Sequence, residues 1–535
     1  MDAAIRNLVD ISHTLAARRA RAELMLERAR WAAEVFRRYD RDTTQAIAAA
    51  VARVAFDKAG EYAEWAVKET GFGVAAHKKI KNELSSVPLV EHYRDWDFVN
   101  PRIDEVAKIV EVPRPAGVVF ALVPSTNPIA TVYFKVLSAL MTRNAVVMSP
   151  HPAARECCVD AARTLARAAE KAGAPEAVVQ VVEQPDIPLI EEFMRSEKTD
   201  VILATGGTAM VRAAYSSTNP AIGVGPGNAP VFVDGSANLK LAAQRIVESK
   251  SFDNSILCTN ESVLITLADI AKQLRRELER AGAYVCSGDE RDALRRYLFH
   301  ERGFNVEAIG RDATWIAAQA GLRVPPKTRI LVTPIDLIGV DEPLSKEKLC
   351  PVLGLYVAHG RAQAFSQARA MLRMAGAGHS AAIHANETQV IMDYSAAVEV
   401  YRVVVNAPCS QGAAGFATNL SPSFTIGTGF FGRSSVGENI GPQHLVNWTR
   451  IAYHKDPGEV MGDFSATRLR FAGPLPEAPA DGVPGSSRAP AGRPPVSAAR
   501  RAPGDGTGGT IISGAELREE IRRIIIEELR AALKE

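Results

Sequence analysis

Two textures of apolar and polar positions divide the chain. From residue 1 to about 100, apolar residues recur at helical spacing among Ala, Arg and Glu, which predicts a layer of helices with almost no strand. From Val118 the pattern changes to short continuous apolar runs separated by amphipathic stretches. Runs at 118–124, 145–150, 178–183 and 201–206 read as strands; the stretches ending at Met141, over 153–172 and near 188–195 read as helices. A second series of the same kind starts near Val231 and runs to about Val405, with strands expected at 262–266, 330–332, 354–358 and 381–384. Continuous apolar strands alternating with helices imply parallel sheets covered on both faces. The fold expected is α/β: two doubly wound lobes with a ligand cleft at the carboxyl ends of their strands.

The last sixty residues follow neither pattern. Residues 474–510 hold eight Pro and seven Gly among Ala, Ser and Arg, a composition unable to bury enough apolar surface to offset ordering, so a flexible linker is expected. Beyond it, Leu517, Ile521, Ile524, Ile525, Leu529 and Leu533 fall on one face of a predicted helix, with Glu and Arg on the other. A lone helix of this length is marginal in water, so its apolar stripe is expected to meet a partner.

Composition narrows the function classes. A net charge of +2 in 535 residues gives no reason to expect a nucleic acid or an anionic membrane as partner. No apolar run approaches the roughly 20 residues that cross a bilayer, and charges interrupt the amino-terminal stretch, so a cytoplasmic location is expected. Six cysteines without a CxxC pair form no disulfide framework, and adjacent Cys157 and Cys158 read as buried helix residues. His379, His384 and His444 lack metal-ligand spacing, and no metal is expected.

The chemistry centres on SFDNSILCTNESV, which places Cys258 between a helix and a strand, where a cleft residue sits. A thiolate attacks carbonyl carbon, and its adduct with an aldehyde can release hydride. In VPSTNP (123–128), Asn127 stands at a helix N-cap. Its amide is placed to donate to a thiohemiacetal oxygen together with the Cys258 N–H, although an ordinary capping role fits the spacing equally well. ATGGTAMVRAA (204–214) leads from a strand through Gly206, Gly207 and Thr208 into a helix; the glycines suit either a phosphate contact or a plain tight turn. IGVGPGNAPVFVD (222–234) sets a glycine-rich loop, Gly225 within it, before the strand that opens the second series.

In their order and spacing these segments resemble the aldehyde dehydrogenase superfamily from about residue 20 to 470, and GTGFFGRSSVGENIGPQHLVNW (427–448) resembles its CoA-acylating branch. The resemblance implies two Rossmann-like lobes, Cys258 as nucleophile and Asn127 as oxyanion donor. It also implies a nicotinamide cofactor, NAD with NADP not excluded, near Ser125, Thr126, Ser149, His151, Gly206, Gly207, Thr208, Gly225 and Glu347. Ser149 stands where hydrolytic members carry a ribose-binding lysine, His151 fits a cap or packing role as well as a ribose contact, and Cys409 matches a segment lining the substrate mouth. Hydrolytic members carry a glutamate about 35 residues before the cysteine; here that position is read as Gly223, so an acyl-Cys258 thioester lacks a base to activate water and waits for coenzyme A. The alternative is a hydrolytic enzyme releasing the free acid.

The division that follows is 1–236 for the helical layer and cofactor lobe, 237–430 for the catalytic lobe, and 431–472 for an oligomerisation segment and return to the cofactor lobe, supporting a homodimer or tetramer. Residues 473–513 form the linker and 514–535 the terminal helix. That helix resembles the encapsulation peptides that direct enzymes into bacterial microcompartments, which implies shell or cargo proteins as partners and a compartment lumen as location. Acetaldehyde, propionaldehyde and larger or charged aldehydes all stay open as substrates, with a propionaldehyde-sized one favoured by the microcompartment resemblance.

Overall fold

A computed structural model describes residues 14–479, apart from 301–302 and scattered positions between 465 and 477. The terminal helix expected at 514–535 and most of the linker expected at 473–513 lie outside the described residues. The amino-terminal layer consists of α1 (Leu15–Phe36), α2 (Arg41–Asp57), α3 (Ala59–Thr70), α4 (Ala75–Leu84) and α5 (Val87–His92). Asp40 starts α2 by accepting the Thr43 N–H at 2.8 Å, and left-handed Gly71 (φ 74°) ends α3.

Next come β1 (Arg102–Asp104) and β2 (Ile109–Pro115), and then the first parallel sheet. Its strands are β3 (Val118–Val123), β4 (Ala145–Pro150), β5 (Val179–Val181), β6 (Val201–Thr205) and β7 (Ala221–Val224), in the order β5-β4-β3-β6-β7. The connecting helices are α6 (Pro128–Met141), α7 (Arg155–Lys171), α8 (Ile187–Arg195) and α9 (Thr208–Tyr215). Every residue of β3, β4 and α6 is buried, because α6 packs between the sheet and the amino-terminal helices. Even Lys135 in α6 is enclosed; its ammonium donates to the Leu122 and Leu203 carbonyls at 2.6 and 2.8 Å.

The second lobe is a seven-stranded parallel sheet. It comprises β8 (Ala229–Val233), β9 (Glu261–Leu267), β10 (Ala283–Val285), β13 (Ile330–Pro334), β14 (Val352–Ala358), β15 (Ala381–His384) and β16 (Val403–Val405). A small ladder, β11 (Phe299–His300) with β12 (Gly303–Phe304), stands outside it. The order is β10-β13-β14-β9-β8-β15-β16, and separate hydrophobic cores pack against it. Helix α10 (Leu239–Ser251) joins β8 to the segment carrying Cys258.

One boundary differs from the expected division. The division at 236 falls too late, because β8 is a central strand of the second sheet, paired with both β9 and β15. In the segment 431–472, expected to return to the cofactor lobe, strand β17 (Val446–Ala452) pairs antiparallel with β2, making a three-stranded sheet β1-β2-β17. Among the described residues no helix is long and apolar enough to cross a membrane.

Candidate active site

Cys258 follows α10 through a backbone reversal. Asp253, Asn254 and Ser255 are successively left-handed, with φ of 50°, 53° and 63°. Non-glycine residues rarely adopt this region, and three in a row persist only where surrounding contacts over-determine them. Those contacts are present. The Asp253 N–H donates to His77 Nδ1 at 2.9 Å, and its carboxylate accepts the Val74 N–H at 2.6 Å. Asn254 Nδ2 donates to the Gly310 carbonyl at 2.8 Å, and His77 stacks on Phe252 at 4.8 Å. On the far side, Thr259 Oγ1 donates to the Ser410 carbonyl at 2.9 Å and Asn260 Oδ1 accepts the Leu257 N–H at 2.9 Å.

Of the six cysteines, Cys258 alone is not buried. Burial of its surroundings, with Glu347 nearby, pushes its thiol up to about 12, against the opposing pull of its own backbone N–H, Arg402 and Lys81. Cys409, expected to line the substrate mouth, is fully buried and its pKa lies well above the ordinary thiol value through desolvation, so its sulfur is not open to the cleft.

Asn127 begins α6 but its side chain makes no capping bond. Its Oδ1 instead accepts from Lys81 Nζ at 2.5 Å, while its Nδ2 makes one long bond, 3.3 Å, to Thr126 Oγ1. Lys78 and Lys81 share the buried Asp253 carboxylate, Lys78 at 3.1 Å, and Lys78 also reaches the Thr126 carbonyl at 3.2 Å. These two lysines and Asp253 escaped the sequence reading. A Lys-rich helix resembles a solvated face, and Lys81 meets Asp253 across 172 residues. The available signal was the i, i+3 spacing of Lys78 and Lys81, which puts both on one side of α4.

The expected cofactor residues gather at one sheet edge. Ser125 and Thr126 follow β3, Ser149 and His151 end β4, and Gly206, Gly207 and Thr208 follow β6; these three strands are neighbours and parallel. Ser149 Oγ is buried without a hydrogen-bond partner. Gly207 caps α9 with no side-chain bond, and a Cβ placed on it would meet nothing within 4 Å. An unpartnered hydroxyl at the end of β4 and an open helix start after β6, with β3 between them, suit the hydroxyls and phosphates of a nucleotide. His151 is differently employed: its Nδ1 accepts the Ala153 N–H at 3.1 Å, and burial lowers its pKa to about 4, making it a neutral cap.

Across the cleft, Gly225 is open, whereas Gly227 is tightly placed: a Cβ there would stand 2.0 Å from the Cys258 carbonyl oxygen. The Gly227 N–H donates to Glu347 Oε1 at 3.2 Å, and burial raises the Glu347 carboxyl to about 8. A side chain at Gly223 would run into Val211 and Tyr215 of α9; the next residue on the opposite pleat is buried, apolar Val224. Neither position carries a base.

The aldehyde dehydrogenase family model matches residues 9–419. An aldehyde-alcohol dehydrogenase of Clostridium acetobutylicum is 39% identical over 78% of this chain and 49% of its own length. The chain thus spans about half the length of the first curated relatives it matches. A succinate-semialdehyde dehydrogenase (acetylating) of Clostridium kluyveri is 34% identical, over 82% of this chain and 96% of its own. Among solved structures, an acetylating aldehyde dehydrogenase from Geobacillus thermoglucosidasius superposes with a TM-score of 0.81 at 36% identity, covering 83% of this chain and 99% of its own. A propionaldehyde dehydrogenase from the fucose utilisation bacterial microcompartment of Clostridium phytofermentans gives 0.74 at 27%, covering 80% and 96%. Two parallel-sheet lobes, a single accessible thiol on a braced turn and a match across most of its length place this chain in the aldehyde dehydrogenase family.

Proposed function

We propose that the chain is a CoA-acylating aldehyde dehydrogenase, taking a short-chain aldehyde to its acyl-CoA through a thioester on Cys258. The observation that carries this reading is the placement of Cys258: one accessible thiol, with no base on the 223–228 loop that runs against its backbone. The acetylating relative and acetylating solved structure support the same acceptor.

Cys258 adds through sulfur to the aldehyde carbon, and the charge developing on oxygen is met by Asn127 Nδ2 and the Cys258 N–H. Two such donors matter: loss of one typically costs on the order of 100-fold in rate. A nicotinamide cofactor, when bound along the Ser125–Thr126, Ser149 and Gly206–Thr208 edge, supplies the hydride acceptor. Glu347 is the carboxyl that bears on the sulfur; burial raises it to about 8, and its Oε1 is engaged by the Gly227 N–H. The thioester therefore persists until a thiol arrives, and exchange of one thioester for another is nearly isoenergetic. Acyl-CoA formation from aldehyde, NAD or NADP, and CoA tests this: Cys258→Ala should abolish it, and undiminished product would end the reading.

Two wider proposals rest on the same chain. The β1-β2-β17 sheet, with Ile103, Ile451 and Tyr453 exposed, suits association into a dimer or tetramer. Residues 514–535 suit recruitment to a microcompartment, a setting shared with the Clostridium phytofermentans structure. Diffuse fluorescence of a fluorescent protein carrying residues 511–535, beside assembled shells, would refute recruitment.

A further inference from the structure

Helix α4 sends two lysines inward to a place where charge is expensive. Lys78 and Lys81 are 3% and 1% exposed, and the Asp253 carboxylate they share is completely enclosed. Exposed Lys79 between them pairs outward with Glu83 at 3.7 Å. Burial pushes the Lys81 ammonium down to about 7 against the pull of Asp253, and enclosing two amines against one carboxylate is a poor way to hold two lobes together; an apolar contact of the same volume often does so at least as well. The donors left over are directed at particular atoms. Lys78 points its remaining contact at the Thr126 carbonyl, and Lys81 points its own at Asn127 Oδ1.

An ammonium has three donors and no acceptor, whereas an amide has one edge of each kind. Lys81 donates to Asp253 and to Asn127, and the oxygen edge of the amide is the one that accepts. Rotating the amide by half a turn would set N–H2 against Nζ and turn the carbonyl oxygen toward the place where an oxyanion forms. Lys81 thereby fixes which edge faces the reacting oxygen. Through Asp253 the same ammonium touches the left-handed turn that carries Cys258, so one side chain registers the donor from the first lobe against the thiol from the second.

We infer that Lys81 is a positioning residue, which locks the Asn127 amide with its N–H2 edge toward the thiohemiacetal oxygen and aligns it with the Cys258 turn. The inference rests on the reading of Cys258 as nucleophile and Asn127 as oxyanion donor. A double-mutant cycle tests it, using the full chain and reading the rate constant of the first-turnover NADH burst, KM for aldehyde and thermal stability. Lys81→Met should slow the burst on the order of 100-fold, as Asn127→Ala does, with KM changed only a few-fold. The double variant should be no slower than Asn127→Ala alone, and Lys81→Arg, which keeps a charged donor, should recover most of the rate. Independent, multiplying losses in the double variant, or an unslowed Lys81→Met burst, would overturn the inference while leaving the reaction intact. An unslowed Asn127→Ala burst would instead overturn the underlying reading and this inference with it. If Lys81→Met does not fold, Lys81→Gln carries the same cycle with the charge removed and a donor kept.

Discussion

At the scale of single residues, the reactivity of Cys258 is set by opposing neighbours. Burial and Glu347 favour the neutral thiol; Arg402 and Lys81 favour the thiolate, and the first pair prevails in the free enzyme, leaving the pKa near 12. A raised thiol pKa means that thiolate accumulates only as pH increases. Alkylation of Cys258 by iodoacetamide, followed by mass spectrometry, should therefore accelerate about tenfold per pH unit from pH 7 to 10. A plateau below pH 9 would contradict this balance. Cys258 and Asn127 stand out as candidates in the sequence because the chemistry proposed for them is local, a thiol before a strand and an amide before Pro128. The role of Gly227 does not. Both glycines lie in one loop, and only the approach of the Cys258 carbonyl distinguishes Gly227 from Gly225. The neutral cap at His151 was foreseen as one of two roles, and the geometry selects it.

At the scale of elements, the catalytic turn is braced by a helix from the other lobe. Asp253 joins α4 to the left-handed run, and removing it strands two enclosed ammonium groups. Asp253→Ala should destabilise the protein by about 3–5 kcal/mol, as expected when one partner of a buried charge cluster is deleted. A lowered denaturation midpoint would be the readout; an unchanged midpoint would show that the cluster carries little structural weight. Strands β3, β4, β6, β9 and β15 were readable because parallel strands covered on both faces are continuously apolar. The place of β8 was harder to read. Apolar content does not reveal which sheet a strand joins, and that choice rests on pairing with β9 and β15.

Over the whole molecule, the two sheets supply different halves of one reaction. The first gathers the open Gly207 helix start, the unpartnered Ser149 hydroxyl and Asn127; the second brings Cys258 and Glu347. The order of lobes was legible from the alternation of strand and helix, while the network joining them, Lys78 and Lys81 to Asp253, depends on contacts far apart in sequence. The proposed acceptor follows from what the cleft lacks at 223 and 224 and from the engagement of Glu347 by the Gly227 N–H. The most direct test counts turnovers of the wild-type chain with aldehyde and oxidised cofactor but without CoA. The account predicts one NADH per active site, an acyl mass retained on Cys258, and steady turnover once CoA is added. Sustained NADH production with free acid as product, in the absence of any thiol acceptor, would contradict it.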